Sequence, residues 1–442
     1  MTDSPLPNPY SASSLTVLTD THLSRWLIRV EYLFNVLSLL LYSSDIIGLL
    51  ISGGASEGDG VNIFALDYSL NRQAFLLNYL LTFILVALRW QKVLNMLRQN
   101  VYLLALIAIV ILSFLWSDAP RQTLTGLVGM LATTLYGVYL ASRYSLREQL
   151  SLLGTTFSVS VVLSFVFALL LPSYGIMGGI HAGTWRGIYT HKNQLGKRMV
   201  LSALVFLIQA QLHRSWRWSA WLGYSLSVVL IILSTSVSAF LNVFLVTLAV
   251  FGSRLIGFRK VSWVLLLGLV AALVWACWIL LPDIGASILE PFGKDMTLTG
   301  RTEIWPYILE KIQQRPWFGY GYSAFWGGLT QESADIIRAV RWPVPDSHNG
   351  YLDLILQVGI AGFGLYLLGF WDALTRSVLL IRATHRWEQT WVFSFLIFTV
   401  LINIGESSLL SRNSVFWVLY VATICFETYE FRQFFQGYAP KI

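Results

Sequence analysis

The feature that most constrains this chain is a series of apolar runs, each close to the length needed to cross a hydrocarbon core of about 30 Å. They fall at 30–50, 74–88, 101–116, 124–141, 152–171, 199–212, 218–233, 237–251, 263–281, 349–371, 390–404 and 414–429. The spacing predicts an all-α polytopic membrane protein with about 12 transmembrane helices, several of which borrow flanking residues to reach full length. Charged residues make up 12% of the chain and hydrophobic ones 56%, and a soluble protein carries about twice that charged share. Ser234-Thr235-Ser236 divides one long apolar region, so a tight turn is expected there. The polar N-terminus lacks the basic start of a cleavable signal, so the first run is expected to remain as a membrane helix. Cys277 and Cys425 each lie inside an apolar stretch and read as small buried hydrophobes, with neither a disulfide framework nor a metal cluster expected.

The formal net charge of +7 suits lipid headgroups and loop orientation signals, and no nucleic-acid partner is expected. With a cytoplasmic N-terminus, the inner segments collect Arg89, Lys92, Arg98, Arg143, Arg147, Arg214, Arg217, Arg376, Arg382 and Arg386, among others. The short outer segments hold Arg72, Arg121 and Arg412, so an even number of spans with both termini inside is expected. The expected division is 1–25 as a polar cytoplasmic N-terminus, 26–282 as transmembrane helices one to nine, and 283–347 as a periplasmic loop. Residues 348–430 then form helices ten to twelve and 431–442 a cytoplasmic tail. Two outer segments break the charge rule, 172–198 and 283–347, and positive charge on the disfavoured face points to an anionic ligand. The second, about 65 residues long, is too long for a bare connector. Ile304, Ile308 and Ile312 recur four apart within it, predicting an amphipathic helix that lies on the membrane surface or caps the bundle.

The chemistry-bearing residues gather in three stretches. In Asp346-Ser347-His348-Asn349-Gly350 a polar loop meets the tenth run. Read as the first turn of that helix, His348 would share a face with Leu352, Ile355, Gly359 and Gly362, the glycines admitting a neighbouring helix. The helix dipole there favours the neutral imidazole that a general base needs. The bland alternative is a helix-terminal histidine bonded to Asp346 or to backbone. In Trp185-Arg186-Gly187-Ile188-Tyr189-Thr190-His191-Lys192-Asn193, cations at a helix start form a diphosphate cradle, although the same residues suit an interfacial belt. Arg301 opens the loop helix, where the dipole disfavours a cation unless an anion or a carboxylate such as Glu303 or Asp295 compensates it. His191, His348, Asp346 and Asp353 could meet, but no pair of them has ligand spacing on one helix, so no metal and no cofactor are expected.

Trp185 to Asn193, Gly-Arg-x-x-x-Trp at Gly300 to Trp305, Pro-x-x-Gly-x-Gly at Pro316 to Gly321, and the His348-Asn349 stretch running to Gly359 together resemble the O-antigen ligase-like superfamily. That group includes O-antigen ligases, O-antigen and exopolysaccharide polymerases, and protein O-oligosaccharyltransferases. The His191-Lys192-Asn193 triplet is most similar to the exopolysaccharide polymerase subgroup. The resemblance implies a metal-independent glycosyltransferase of the bacterial inner membrane with its active site on the periplasmic face. Its donor would be a polyprenyl-diphosphate-linked glycan and its acceptor a glycan or lipid-linked glycan. By position, His348 matches a histidine that activates the acceptor hydroxyl, and Arg186 and Arg301 match arginines that hold the donor diphosphate. Lys192 is read as a further donor-binding residue, with His191, Asn193 and Asn349 in support. A proton- or sodium-coupled transporter is the competing class. It would place ionisable residues at mid-membrane, whereas Asp45 and Asp353, the main candidates, lie toward run ends.

Overall fold

The computed structural model describes residues 22–55, 68–212, 214–256 and 301–437. The first expected run divides at Ser44-Asp45 into α1 (His22–Ser43) and α2 (Ile46–Ile51). There follow α3 (Ser69–Ala87), α4 (Trp90–Gln99), α5 (Val101–Leu112), α6 (Pro120–Arg143), α7 (Leu146–Leu170), the single turn α8 (Pro172–Gly175) and α9 (Lys192–Leu212). Then come α10 (Arg217–Leu233), α11 (Val237–Ile256), α12 (Arg301–Gln314), α13 (Ala334–Val340), α14 (Gly350–Thr384), α15 (Trp387–Gly405) and α16 (Val415–Gln436).

Every expected run among the described residues coincides with helix, and the run at 263–281 lies outside them, as do Cys277 and residues 283–300. Eight described helices are long and apolar enough to cross a membrane, or nine if α4 and the helix from Val101 to Trp116, bent by 94°, count as one. The chain is an all-α polytopic membrane protein. Local chemistry sets the ends. Ser145 and Glu148 form a reciprocal capping box on α7, Pro120 opens α6, and Thr235 (φ 51°) makes the expected tight turn between α10 and α11.

The lipid-facing side is legible on α11, where Val237, Phe240, Phe244, Leu248 and Phe251 are exposed at helical spacing. Inside the bundle, hydrogen bonds pin helices together, as expected where no water competes. Trp417 Nε1–H donates to Thr134 Oγ1 at 2.9 Å between α16 and α6, and Glu31 of α1 accepts from Tyr139 Oη (2.6 Å) and Arg143 Nε (3.0 Å) of α6.

Residues 301–349 form a lobe at one end of the bundle with an apolar core of its own. Ile304 and Ile308 of α12 are fully buried against Tyr320, Phe325, Ile336, Ile337, Val344 and Leu356. The fourfold isoleucine spacing therefore marks a helix that caps the bundle.

Two sequence expectations for α14 are corrected. His348 is not in its first turn: Asn349 takes extended backbone and caps the helix, its Oδ1 accepting from the N–H groups of Tyr351 and Leu352. The stripe through Gly359 is not one continuous helical face, because Gly359 (φ 69°) breaks the helix. The backbone groups freed by the break are satisfied by the turn 316–321. Tyr320 and Gly321 N–H donate to the carbonyls of Leu356 and Gln357, while Ile360 and Ala361 N–H donate to those of Pro316 and Trp317. A Cβ at Gly359 would lie 2.1 Å from the Trp317 carbonyl oxygen, so the glycine admits a loop, where the spacing had predicted a helix.

Candidate active site

The turn carrying His348 is fastened on three sides. The Asp346 carboxylate accepts the His348 backbone N–H (2.8 Å) and lies 3.4 Å from its Nδ1. His348 sits at φ 50°, an uncommon region for a side chain other than glycine, and its ring stacks with that of Trp342 at 6.3 Å. Trp305 Nε1–H of α12 donates to the Ser347 carbonyl at 3.0 Å. From below, the buried Asp353 accepts from Ser347 N–H (3.2 Å), Trp326 Nε1–H (2.7 Å) and the Ser407 hydroxyl, joining three distant segments. With Nδ1 held toward a carboxylate, the imidazole presents Nε2 on its opposite edge, the arrangement of a proton acceptor oriented by an acid. The Asp346 contact named in the bland alternative is thus present, and it is the same contact that orients a base.

The basic stretch before α9 is built around Arg186, which is 1% exposed. Its guanidinium donates to the carbonyls of Tyr174 (2.8 Å), Ser173 (3.1 Å) and Gly54, tying the loop to α8 and to the end of α2. It also borders a 340 Å³ cavity with Pro172, Ser173, Ile176, Met177 and Gly178. Lys192 is buried at the start of α9, with its N–H directed at Met177 Sδ (3.2 Å). His191 caps this helix: its Nδ1 accepts the Asn193 N–H at 3.2 Å, and its ring lies 5.2 Å from that of His181. Burial first, then the nearby His181, Lys192 and His348, push the His191 pKa down to about 3, against an opposing pull from Glu406. His191 is therefore neutral and within electrostatic reach of His348. Lys197, one turn into α9, pairs with the buried Glu406 at 3.4 Å and is within electrostatic reach of Asp346.

The fold thus brings His348 and Asp346 to the same end of the bundle as His191, Lys192 and Lys197. Arg186 is fixed within the loop beside them. Arg301 begins α12, and its side chain lies outside the described residues. Of the aromatic residues in the lobe, Tyr320, Tyr322 and Phe325 are core, Trp305 and Trp326 are spent on Ser347 and Asp353, and Trp317 is exposed. Sequence reading missed Glu406 and the hub at Asp353. The available signals were an acid in the break between two apolar helices and a carboxylate four residues after a capping asparagine.

Residues 222–367, from α10 through the first turns of α14, match the family model described as O-antigen ligase. The chain is also similar to the exopolysaccharide production protein ExoQ of Rhizobium meliloti (strain 1021), 26% identical over 333 residues, which are 71% of this chain and 75% of that protein. The matched region holds the lobe and the His348 turn, and both similarities support the O-antigen ligase-like superfamily that the four sequence motifs resemble.

Proposed function

We propose that the chain is an inverting glycosyltransferase that takes glycan from a polyprenyl diphosphate carrier and, as a polymerase, adds it to another lipid-linked glycan. The observation that carries this reading is the imidazole of His348, set against Asp346 at 3.4 Å and within electrostatic reach of the basic segment that opens α9. An acceptor hydroxyl gives its proton to His348 Nε2 as its oxygen attacks the anomeric carbon. The bond from that carbon to the diphosphate oxygen breaks, and the diphosphate leaves with the electron pair. Attack from the opposite face inverts the centre.

The leaving group needs no general acid, because fixed positive charge stabilises the developing anion. Lys192 and Arg301 supply it directly, and the buried charge of Arg186 adds to the potential while its N–H groups hold the loop. Asn349 holds the turn by capping α14, and His191 and Asn193 shape the start of α9. The resemblance implies a site on the periplasmic face of the inner membrane, and the distribution of Arg and Lys supports cytoplasmic termini.

The His191-Lys192-Asn193 triplet, most similar to the exopolysaccharide polymerase subgroup, favours a polymerase. The family description supports a second reading, a ligase that passes glycan to a lipid A core. Glycan from a deletion strain separates them: unpolymerised single repeats are expected, and intact long chains left on the carrier would transfer the assignment to the ligase. His348→Ala is expected to abolish the product while the protein stays in the membrane. Full activity in that variant ends the proposal.

A further inference from the structure

A polar cavity of 280 Å³ opens between the α1–α2 turn, the first turns of α9 and the 407–414 turn that precedes α16. It is several times a water molecule's share of about 30 Å³. Three cations line it: Lys197, Arg198 and Arg412. Two carboxylates oppose them. Glu406 takes Lys197 at 3.4 Å, and Asp45, itself in the lining, stands 3.7 Å from Arg198. Arg412 is exposed, and no carboxylate pairs with it among the described residues. Arg198 is nine-tenths buried, and its Nε–H has no hydrogen-bond partner among the described residues. A buried guanidinium N–H left unsatisfied beside a cavity is costly unless a ligand accepts from it.

The cavity also communicates with the turn of His348. Ser407 lines it and donates to Asp353, which accepts from Ser347, and Lys197 is within electrostatic reach of Asp346. Arg186 lies outside this lining and donates to three backbone carbonyls.

We propose that this cavity binds the phosphate-bearing group of a substrate, with Arg412 and Arg198 donating to its oxygens and Lys197 adding positive charge. The assignment rests on the transfer reading above and gives that reaction an anion site distinct from Arg186. Guanidinium groups suit phosphate oxygens because their donors are planar and paired. Asp45 competes with the ligand for Arg198, so its carboxylate holds the affinity down.

The test titrates the detergent-solubilised full chain with inorganic pyrophosphate and, separately, with a polyprenyl diphosphate, reading the rise in unfolding temperature that binding produces. Arg412→Gln, an exposed position whose change spares the core, is expected to weaken binding about tenfold or more, the loss of one charge-assisted contact. Asp45→Asn is expected to tighten it about threefold, a change of opposite sign that a merely structural role would not produce. A response to the lipid alone, lost in Arg412→Gln, identifies a membrane-borne headgroup. A response to both probes identifies a site that also accepts free phosphate. No response, or binding that neither substitution moves, overturns the proposal. The two readings fail separately. Binding that depends on Arg412 and persists in a chain whose transfer proves independent of His348 leaves the cavity assigned. Transfer that depends on His348 without such binding removes only the cavity.

Discussion

At His191, burial and neighbouring charge together keep a proton off a ring nitrogen that caps a helix. The Asn193 N–H needs Nδ1 as an acceptor, so α9 starts well only with the imidazole neutral. Its folded pKa of about 3 lies below the ordinary 6.5, so the unfolded chain takes up the proton first as pH falls. The stabilisation is complete above about pH 6.5 and is lost progressively as pH falls toward 3, amounting to about 2 kcal/mol by pH 5. His191→Asn keeps a capping acceptor that does not titrate. Thermal unfolding of this variant between pH 5 and 7.5 is expected to show a smaller acid dependence than the parent, and an unchanged dependence would remove His191 as its source. At this scale the sequence was legible where partners are close neighbours, as in the contact between His348 and Asp346. It was silent where partners lie far apart along the chain. Asp353 joins residues 326, 347 and 407, and Lys197 pairs with a glutamate 209 positions away.

Among the elements, α14 departs most from its own pattern. Apolar runs located the helices well because hydropathy reports exclusion from water, whether lipid or protein does the excluding. The same periodicity misread Gly359 as part of a helix-packing face, since a glycine admitting a helix and a glycine admitting a loop look alike in one dimension. What distinguishes them is the turn 316–321, whose own glycine at 319 (φ 65°) would place a Cβ 2.5 Å from the Leu356 carbonyl oxygen. Gly359→Ala adds a methyl group against the Trp317 carbonyl in a backbone region alanine disfavours, at a cost of roughly 3 kcal/mol or more. A lower unfolding temperature and faster proteolysis within 316–321 are expected, and wild-type values for both would show that the turn does not depend on the break.

For the molecule as a whole, the proposed reaction has fixed cations at one end of a helical bundle take the place that a divalent ion fills in many sugar-nucleotide transferases. Glycan transfer by the purified protein is therefore expected to persist in excess EDTA, and loss of turnover restored by magnesium would reassign the leaving-group role to a metal. The fold class was legible from hydropathy alone. The lobe over residues 301–349, with its separate core, was legible only as one amphipathic helix, because its other walls are turns without periodicity. The break at Gly359 has a mechanical consequence. Because one turn grips the chain on both sides of that break, the short bracket under the imidazole and the head of the long shaft are keyed to the same lobe, and neither shifts without disturbing it.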